Sequence, residues 1–276
     1  MSPFDEAERR SRPLRLPAVG GSLEAVRERA RPSRAVALPG ALFVGGLLGV
    51  ELLLPAAGVP RYLLPRPSVV ARALVAHRAA ILANLRVTLV EFGVGFGATV
   101  ATGYLLALAM TYSETVETTV YPYVILVRSV PIVTLLPVFI VWFGFGFNSV
   151  VVVSYLISVF PMIVNARSGF QSADDRVLQM LESFSATRLD LYRHVYRYAA
   201  LPAIFAGLKV CTLLAFTGAI VGEFLLGSRG IGVLILSYNG SMDTPAMFAA
   251  VLAVSATELA IVGVVHRLER RVVHWQ

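Results

Sequence analysis

Six apolar runs dominate the chain, separated by short segments that carry most of its charge. A membrane helix needs about 20 mainly apolar residues at about 1.5 Å of rise each. Runs of that kind cover residues 35–54, 87–111, 120–143, 149–166, 203–226 and 246–265. Pro131 and Pro137 interrupt the third and Pro161 lies in the fourth. Proline in a spanning helix kinks it, or breaks it where the backbone lines a cavity. The expected fold is therefore all-α, a polytopic membrane protein of six transmembrane helices. Its expected organisation is a tail (1–34), a first spanning helix (35–54), an extracytoplasmic connector (55–86) and a five-helix core (87–276) that includes a charged loop (167–202).

That loop has its own periodicity. Val177, Leu178, Leu181 and Phe184 recur at helical spacing and form one apolar stripe, with Ser172 or Asp174 placed to cap the start. Thr187 and Asp190 have the T-x-x-D form of a capping box. They predict a restarted helix through Leu191, Tyr192, Val195, Tyr196 and Ala199, with Ser185 and Ala186 as the elbow. Two readings of this amphipathic pair stay open on the residues alone. Either it docks in a groove of a partner, or it lies on the lipid surface.

Composition agrees with a membrane protein. The 276 residues are 57% apolar and 15% charged, against about a quarter charged in soluble domains. The net charge is +7. With six spans, sixteen arginines (tail, loop 167–202 and C-terminal end) fall on one side and six on the other. The positive-inside rule then makes both termini and the loop cytoplasmic. Nucleic acid is not the expected partner of this arginine excess; membrane lipid is. A cleavable leader is not expected, because the first apolar run starts near Ala35 behind an Arg-rich tail. Cys211 is the single cysteine, so no internal disulfide forms, and a buried inert thiol is expected.

The chain offers little for covalent chemistry. It has no G-x-x-x-x-G-K-[ST] phosphate loop, no H-E-x-x-H and no G-x-S-x-G, and its four histidines lack metal-ligand spacing. No catalytic residue and no metal site are expected. Lys209, the only lysine, is expected to snorkel to the membrane face. Arg128 and Glu223 lie inside spans, and an ionisable group there is a functional candidate because its desolvation is costly. Arg128, Ser129, Pro131 and Glu223 are the candidates for a translocation route. A structural ion pair between Arg128 and Glu223, or an Arg128 satisfied by backbone, is the alternative.

The segment S-V-P-I-V-T-L-L-P-V-F-I-V-W-F-G-F-G (129–146), F-P-M-I-V-N (160–165), A-L-P-A-I-F-A-G-L-K-V (200–210), V-G-E-F (221–224) and L-E-R-R (268–271) occur in order. Together they resemble the permease subunits of bacterial ATP-binding-cassette importers, in the sulfonate, taurine and nitrate branch. The family's cytoplasmic E-A-A-x3-G-x9-I-x-L-P loop is present in degenerate form. Gln179 takes the Glu position, Met180 and Leu181 the two Ala, Ser185 the Gly, Val195 the Ile, and Arg197-Tyr198 the Leu-Pro.

The resemblance implies a coupling helix made of Val177, Gln179, Met180, Leu181, Glu182, Ser183, Phe184, Ser185, Ala186, Thr187 and Arg188. It further implies a homodimer, two cytoplasmic ATPase subunits that hold the ATP and magnesium, an extracytoplasmic substrate-binding protein and residence in the bacterial inner membrane. No cofactor is expected on this chain. The implied substrate is a small anion (a sulfonate, taurine or nitrate), with a thiamine precursor or other small heterocycle as the alternative. The implied route runs past Arg128, the Gly230-Ile231-Gly232 segment dips back toward it, and residues 239–244 are a docking surface for the binding protein. An ion-coupled secondary transporter is the rival of another class, and it lacks the internal repeat such folds show.

Overall fold

Without water to satisfy it, a backbone in lipid closes its hydrogen bonds within helices, and the computed structural model is helical throughout the residues it describes (32–58, 60 and 63–274). The chain divides into two units, Met1–Gly58 and Val59–Gln276. In the first, α1 runs over Pro32–Ala56 and includes the expected first span. The expected tail lies outside the described residues as far as residue 31.

The second unit holds the remaining helices. They are α2 (Pro67–Ala76), α3 (Arg78–Tyr112), α4 (Glu114–Arg128), α5 (Leu136–Phe143), α6 (Phe147–Gln171), α7 (Asp175–Ser183), α8 (Arg188–Leu226), α9 (Ile231–Gly240) and α10 (Thr244–Val272). Four of these, α3, α6, α8 and α10, are long and apolar enough to cross a membrane. A fifth crossing is obtained if α4 and the Ile132–Phe143 stretch count as one span, bent by 89°. Among the described residues the expected six crossings are thus matched by four or five, with α1 adding the shorter apolar stretch Val44–Ala56.

The connector expected at 55–86 is partly helical. Pro67 opens α2 at its first turn, where a missing N–H costs nothing. Arg78 donates from Nη1 to Val75 O at 3.0 Å, satisfying a carbonyl at the end of α2 as α3 begins. Apolarity alone therefore placed the start of α3 nine residues late, at 87 instead of 78.

The core forms where α6 and α8 run side by side with α3 across them. Phe92 and Phe96 of α3 meet Phe216 of α8, Val150 and Val153 of α6. Towards the α7 end, Met162, Ala166 and Phe170 pack on Ala200, Ile204 and Cys211. The α6–α8 seam is made of small residues. Gly218 and Gly222 have the G-x-x-x-G spacing that lets two membrane helices approach closely. A β-carbon on Gly222 would stand 3.1 Å from Val150 Cα, and one on Gly218 3.0 Å from Ser154 Cα. Ser154 Oγ donates to Ala215 O at 2.8 Å across the same seam. Cys211 is buried as expected, its Sγ 3.1 Å from Ser158 O.

Ion pairs fasten the flanks. Arg167 at the end of α6 binds Glu117 of α4 through Nε at 2.8 Å and lies 4.2 Å over the Tyr121 ring. Lys209 does more than snorkel, because its Nζ lies 2.6 Å from Glu269 Oε2 and ties α8 to α10. Replacing Gly222 with Leu should force the seam apart against backbone rather than a movable side chain. The expected loss is about 1–3 kcal/mol, read as a lower thermal unfolding midpoint in detergent.

Candidate functional site: a broken helix, a capped helix start and a two-helix loop

α4 ends at Arg128 because Pro131 follows. Ser129 Oγ donates to Ile125 O at 3.2 Å, and the chain turns into a short 3-10 segment, Ile132–Leu135, capped by Pro131. Thr134 closes that turn onto Pro131 O from both its N–H (2.9 Å) and its Oγ1 (2.7 Å). The break leaves Arg128 on the wall of a cavity of about 390 Å³. Ile132, Phe160, Pro161, Asn165 and Leu214 are among its other walls. The guanidinium of Arg128 makes no hydrogen bond or ion pair with any described residue. Asn165 beside it donates from Nδ2 to Pro161 O at 2.8 Å. Arg128, Ser129 and Pro131 thus sit together at one break, and of the three it is Arg128 that faces the space bounded by α6 and α8.

Glu223 lies elsewhere. It is 1% exposed and enclosed between α3, α8 and α9. Thr88 Oγ1 donates to its Oε1 at 2.5 Å, and Gly232 N–H donates to its Oε2 at 2.5 Å. Ile231 N–H donates to Thr88 Oγ1 at 2.9 Å, and Gly230 N–H to Asn84 Oδ1 at 3.3 Å. These three amides are the first of α9, whose N-cap, Gly230, has no side chain of its own to cap them. Acceptors from α3 and α8 replace the missing cap. Gly230 adopts φ +118°, and a β-carbon there would overlap the Glu223 carboxyl. The G-I-G sequence therefore makes room for the acid that holds it.

Glu91 was not singled out from the sequence. It is 2% exposed on α3 and stands near Glu223. Its Oε2 is the one buried side-chain oxygen or nitrogen among the described residues that lacks a partner. The signal was present as an acid inside the second apolar run, by the same rule that selected Arg128 and Glu223.

The charged loop forms the two helices its pattern predicts. Asp174 caps α7 by accepting from Arg176 N–H at 2.9 Å. Leu178 and Leu181 are half-buried, whereas Val177 (37%), Met180 (54%) and Phe184 (77%) stay exposed. The exposed stripe is thus Val177, Met180 and Phe184, with Leu181 turned towards the body. Gln179, Glu182 and Ser183 are exposed beside it.

Ala186 N–H bonds Leu181 O at 3.1 Å and Ser185 N–H bonds Glu182 O at 2.9 Å. That pair of bonds is a Schellman ending, and its residue in the left-handed region is Ser185, at φ +59°. Thr187 and Asp190 complete the capping box, with Thr187 N–H to Asp190 Oδ2 at 3.0 Å and Asp190 N–H to Thr187 Oγ1 at 3.3 Å. Arg188 then opens α8.

Residues 78–274 match the family described as the binding-protein-dependent transport system inner membrane component. The chain belongs to that family. It is 30% identical over 216 residues to the formylaminopyrimidine transport permease protein of Halalkalibacterium halodurans, covering 78% of this permease and 86% of the relative. It is 25% identical over 197 residues to the taurine transport system permease protein of Escherichia coli, covering 71% and 72%. Among solved structures, an amino acid ABC transporter superposes with a TM-score of 0.57 at 18% identity, over 73% of this permease and 96% of that chain, a likeness of fold. The permease is thus the membrane component of an ABC importer and not an enzyme.

Replacing Ser185 with Gly should relieve the left-handed strain and stabilise the elbow by about 1 kcal/mol. Slower amide hydrogen exchange in α7 would register it. Glu223→Ala should leave the Gly232 amide without its acceptor, at about 1–3 kcal/mol, read as faster exchange at the start of α9 while α6 stays protected.

Proposed function

We propose that this permease forms, as a homodimer, the route for a small solute, with Arg128 as its electrostatic attractor. One observation carries the reading: an unpaired guanidinium at the 89° break of a membrane helix, on the wall of a cavity of about 390 Å³. Discontinuous helices are used in membranes where the backbone lines a path, and an intramembrane charge without a structural partner marks such a path. Glu223 contributes at a distance, by fixing α9 where that helix borders the core.

The rest of the assembly follows from the loop. Val177, Met180 and Phe184 present an apolar stripe with Glu182 and Arg188 near it, suited to a groove on a cytoplasmic ATPase subunit. Two copies of the permease engage two such subunits, which hold ATP and magnesium and carry out hydrolysis. Both termini and the loop are cytoplasmic, on the arginine asymmetry. A binding protein delivers solute to the opposite face near residues 239–244. ATP binding draws the loops together and opens the route outward, and hydrolysis returns it inward. The loss of the family's Glu and Gly at Gln179 and Ser185 points to a dedicated ATPase.

The solute is a small organic anion such as taurine or an aliphatic sulfonate, on the chemistry of Arg128 and the name of the Escherichia coli relative. A second reading, a small heterocycle, is favoured by the higher identity to the formylaminopyrimidine permease. In either case Arg128→Ala should lower uptake by about tenfold or more, equivalent to about 1.4 kcal/mol, with Arg128→Lys restoring part of it only for an anion. Uptake of labelled taurine and of an aminopyrimidine into cells expressing the complete transporter separates the two. Normal uptake by Arg128→Ala would remove the residue from the route. Co-purification of an ATPase, lost on deleting residues 174–187, tests the docking role of the loop.

A further inference from the structure

The junction between the loop and the bundle has a construction that docking alone does not require. α8 does not start as a regular helix. Tyr192–Tyr196 form a π-turn, in which Arg197 N–H reaches back to Tyr192 O. A π-turn accommodates an extra residue in a helix and leaves carbonyls short of their usual partners. Asp190 O accepts from a side chain, His194 Nδ1 at 2.8 Å.

Three tyrosines bind this irregular turn to α3. Tyr104 and Tyr192 share a hydroxyl–hydroxyl bond of 2.5 Å. Tyr112 OH donates to Arg188 O at 3.0 Å, while Arg188 Nη1 donates to Tyr112 O at 3.1 Å. Each residue thus holds the other's backbone. The Tyr196 ring meets Tyr112 edge-on at 6.0 Å. Between these contacts lies an apolar cavity of about 360 Å³, bounded by Leu108, Tyr112, Arg188, Leu189 and Tyr192. The rings therefore have space beside them, unlike the close α6–α8 seam.

Arg188 is linked through Thr187 to the Schellman elbow, and so to the exposed stripe. On its C-terminal side the stripe meets the bundle at Arg188 and Tyr192, and both are fastened to α3. The π-turn, which begins at Tyr192, lies between Arg188 and the spanning part of α8. Helices bend at such turns more easily than along regular stretches.

We propose that Tyr104, Tyr112 and Tyr192 are positioning residues that pass displacement of the loop into α3, with the π-turn as the compliant joint that spares α8. The proposal rests on the reading that the loop docks on an ATPase. It makes α3 the helix that moves with the motor, and it places the joint at residues 192–196.

The test uses the permease purified with its ATPase in lipid nanodiscs. Val164→Cys, on the wall of the Arg128 cavity, reports the state of the route through its reactivity to a membrane-impermeant maleimide, with and without ATP and magnesium. Cys211 is buried and stays silent. In this background Tyr104→Phe, Tyr112→Phe and Tyr192→Phe are combined. Tyr104 and Tyr192 lose their hydroxyls together, so neither leaves the other unpaired.

The expected result is an ATPase that remains bound and hydrolyses ATP at the parental rate, while the ATP-dependent change in labelling shrinks about threefold or more. A full ATP-dependent change without the hydroxyls would overturn the proposal, and so would release of the ATPase by the triple variant, which would make the tyrosines part of docking. If the parental chain binds no ATPase, the docking reading fails and the proposal fails with it.

Discussion

Three backbone amides at the start of α9 set the terms for half of the bundle. A helix that begins buried within the protein has no water to take its first N–H groups, and each one left bare costs about 1–3 kcal/mol. Here Asn84, Thr88 and Glu223 take those of Gly230, Ile231 and Gly232. The acceptors come from two long helices, so α3 and α8 must stand at one depth and rotation for the cap to form. The glycine at 230 is part of the same constraint, since any side chain there would occupy the space of the acid.

With Glu223 committed to that cap, Arg128 has no carboxylate partner among the described residues. The two charges that stand out in the apolar runs therefore take opposite roles. One is buried as a structural acceptor, and the other stays open to a cavity at the broken helix. The close α6–α8 seam supplies the rigid wall behind that cavity. The tyrosine-lined junction at the other end is looser and contains the irregular turn. Rigidity near the route and compliance near the loop suit a device in which motion enters at one end and is used at the other.

Much of this arrangement was legible from residue order, where the physics is local. The apolar runs identified the helices, Pro131 marked the break, and Thr187 with Asp190 fixed the second loop helix. The elbow expected at Ser185 and Ala186 is where the chain turns, with Ser185 in the left-handed region. What could not be read depended on contacts between distant segments. Nothing near Gly230 says that its cap lies on α3, 146 residues earlier. Glu91 was visible as an acid in a span, yet its meaning came only from its meeting with Glu223. The start of α3 was placed late because a helix can extend past its apolar stretch when polar side chains such as Arg78 bond the turns at its end. The π-turn has no composition signature, because it is decided by how α8 must face α3.

The distant origin of the α9 cap also bears on how the protein is made. Chains are synthesised from the N-terminus, and segments fold as they emerge. Asn84, Thr88 and Glu223 all precede Gly230, so every acceptor is translated before the amides that need it. The start of α9 need not wait for a later helix to supply its cap. A rearranged chain with the same residues, but with α9 ahead of α3, would present those amides before Asn84 and Thr88 had been made. For this permease the order of the genes' codons is itself part of the folding mechanism.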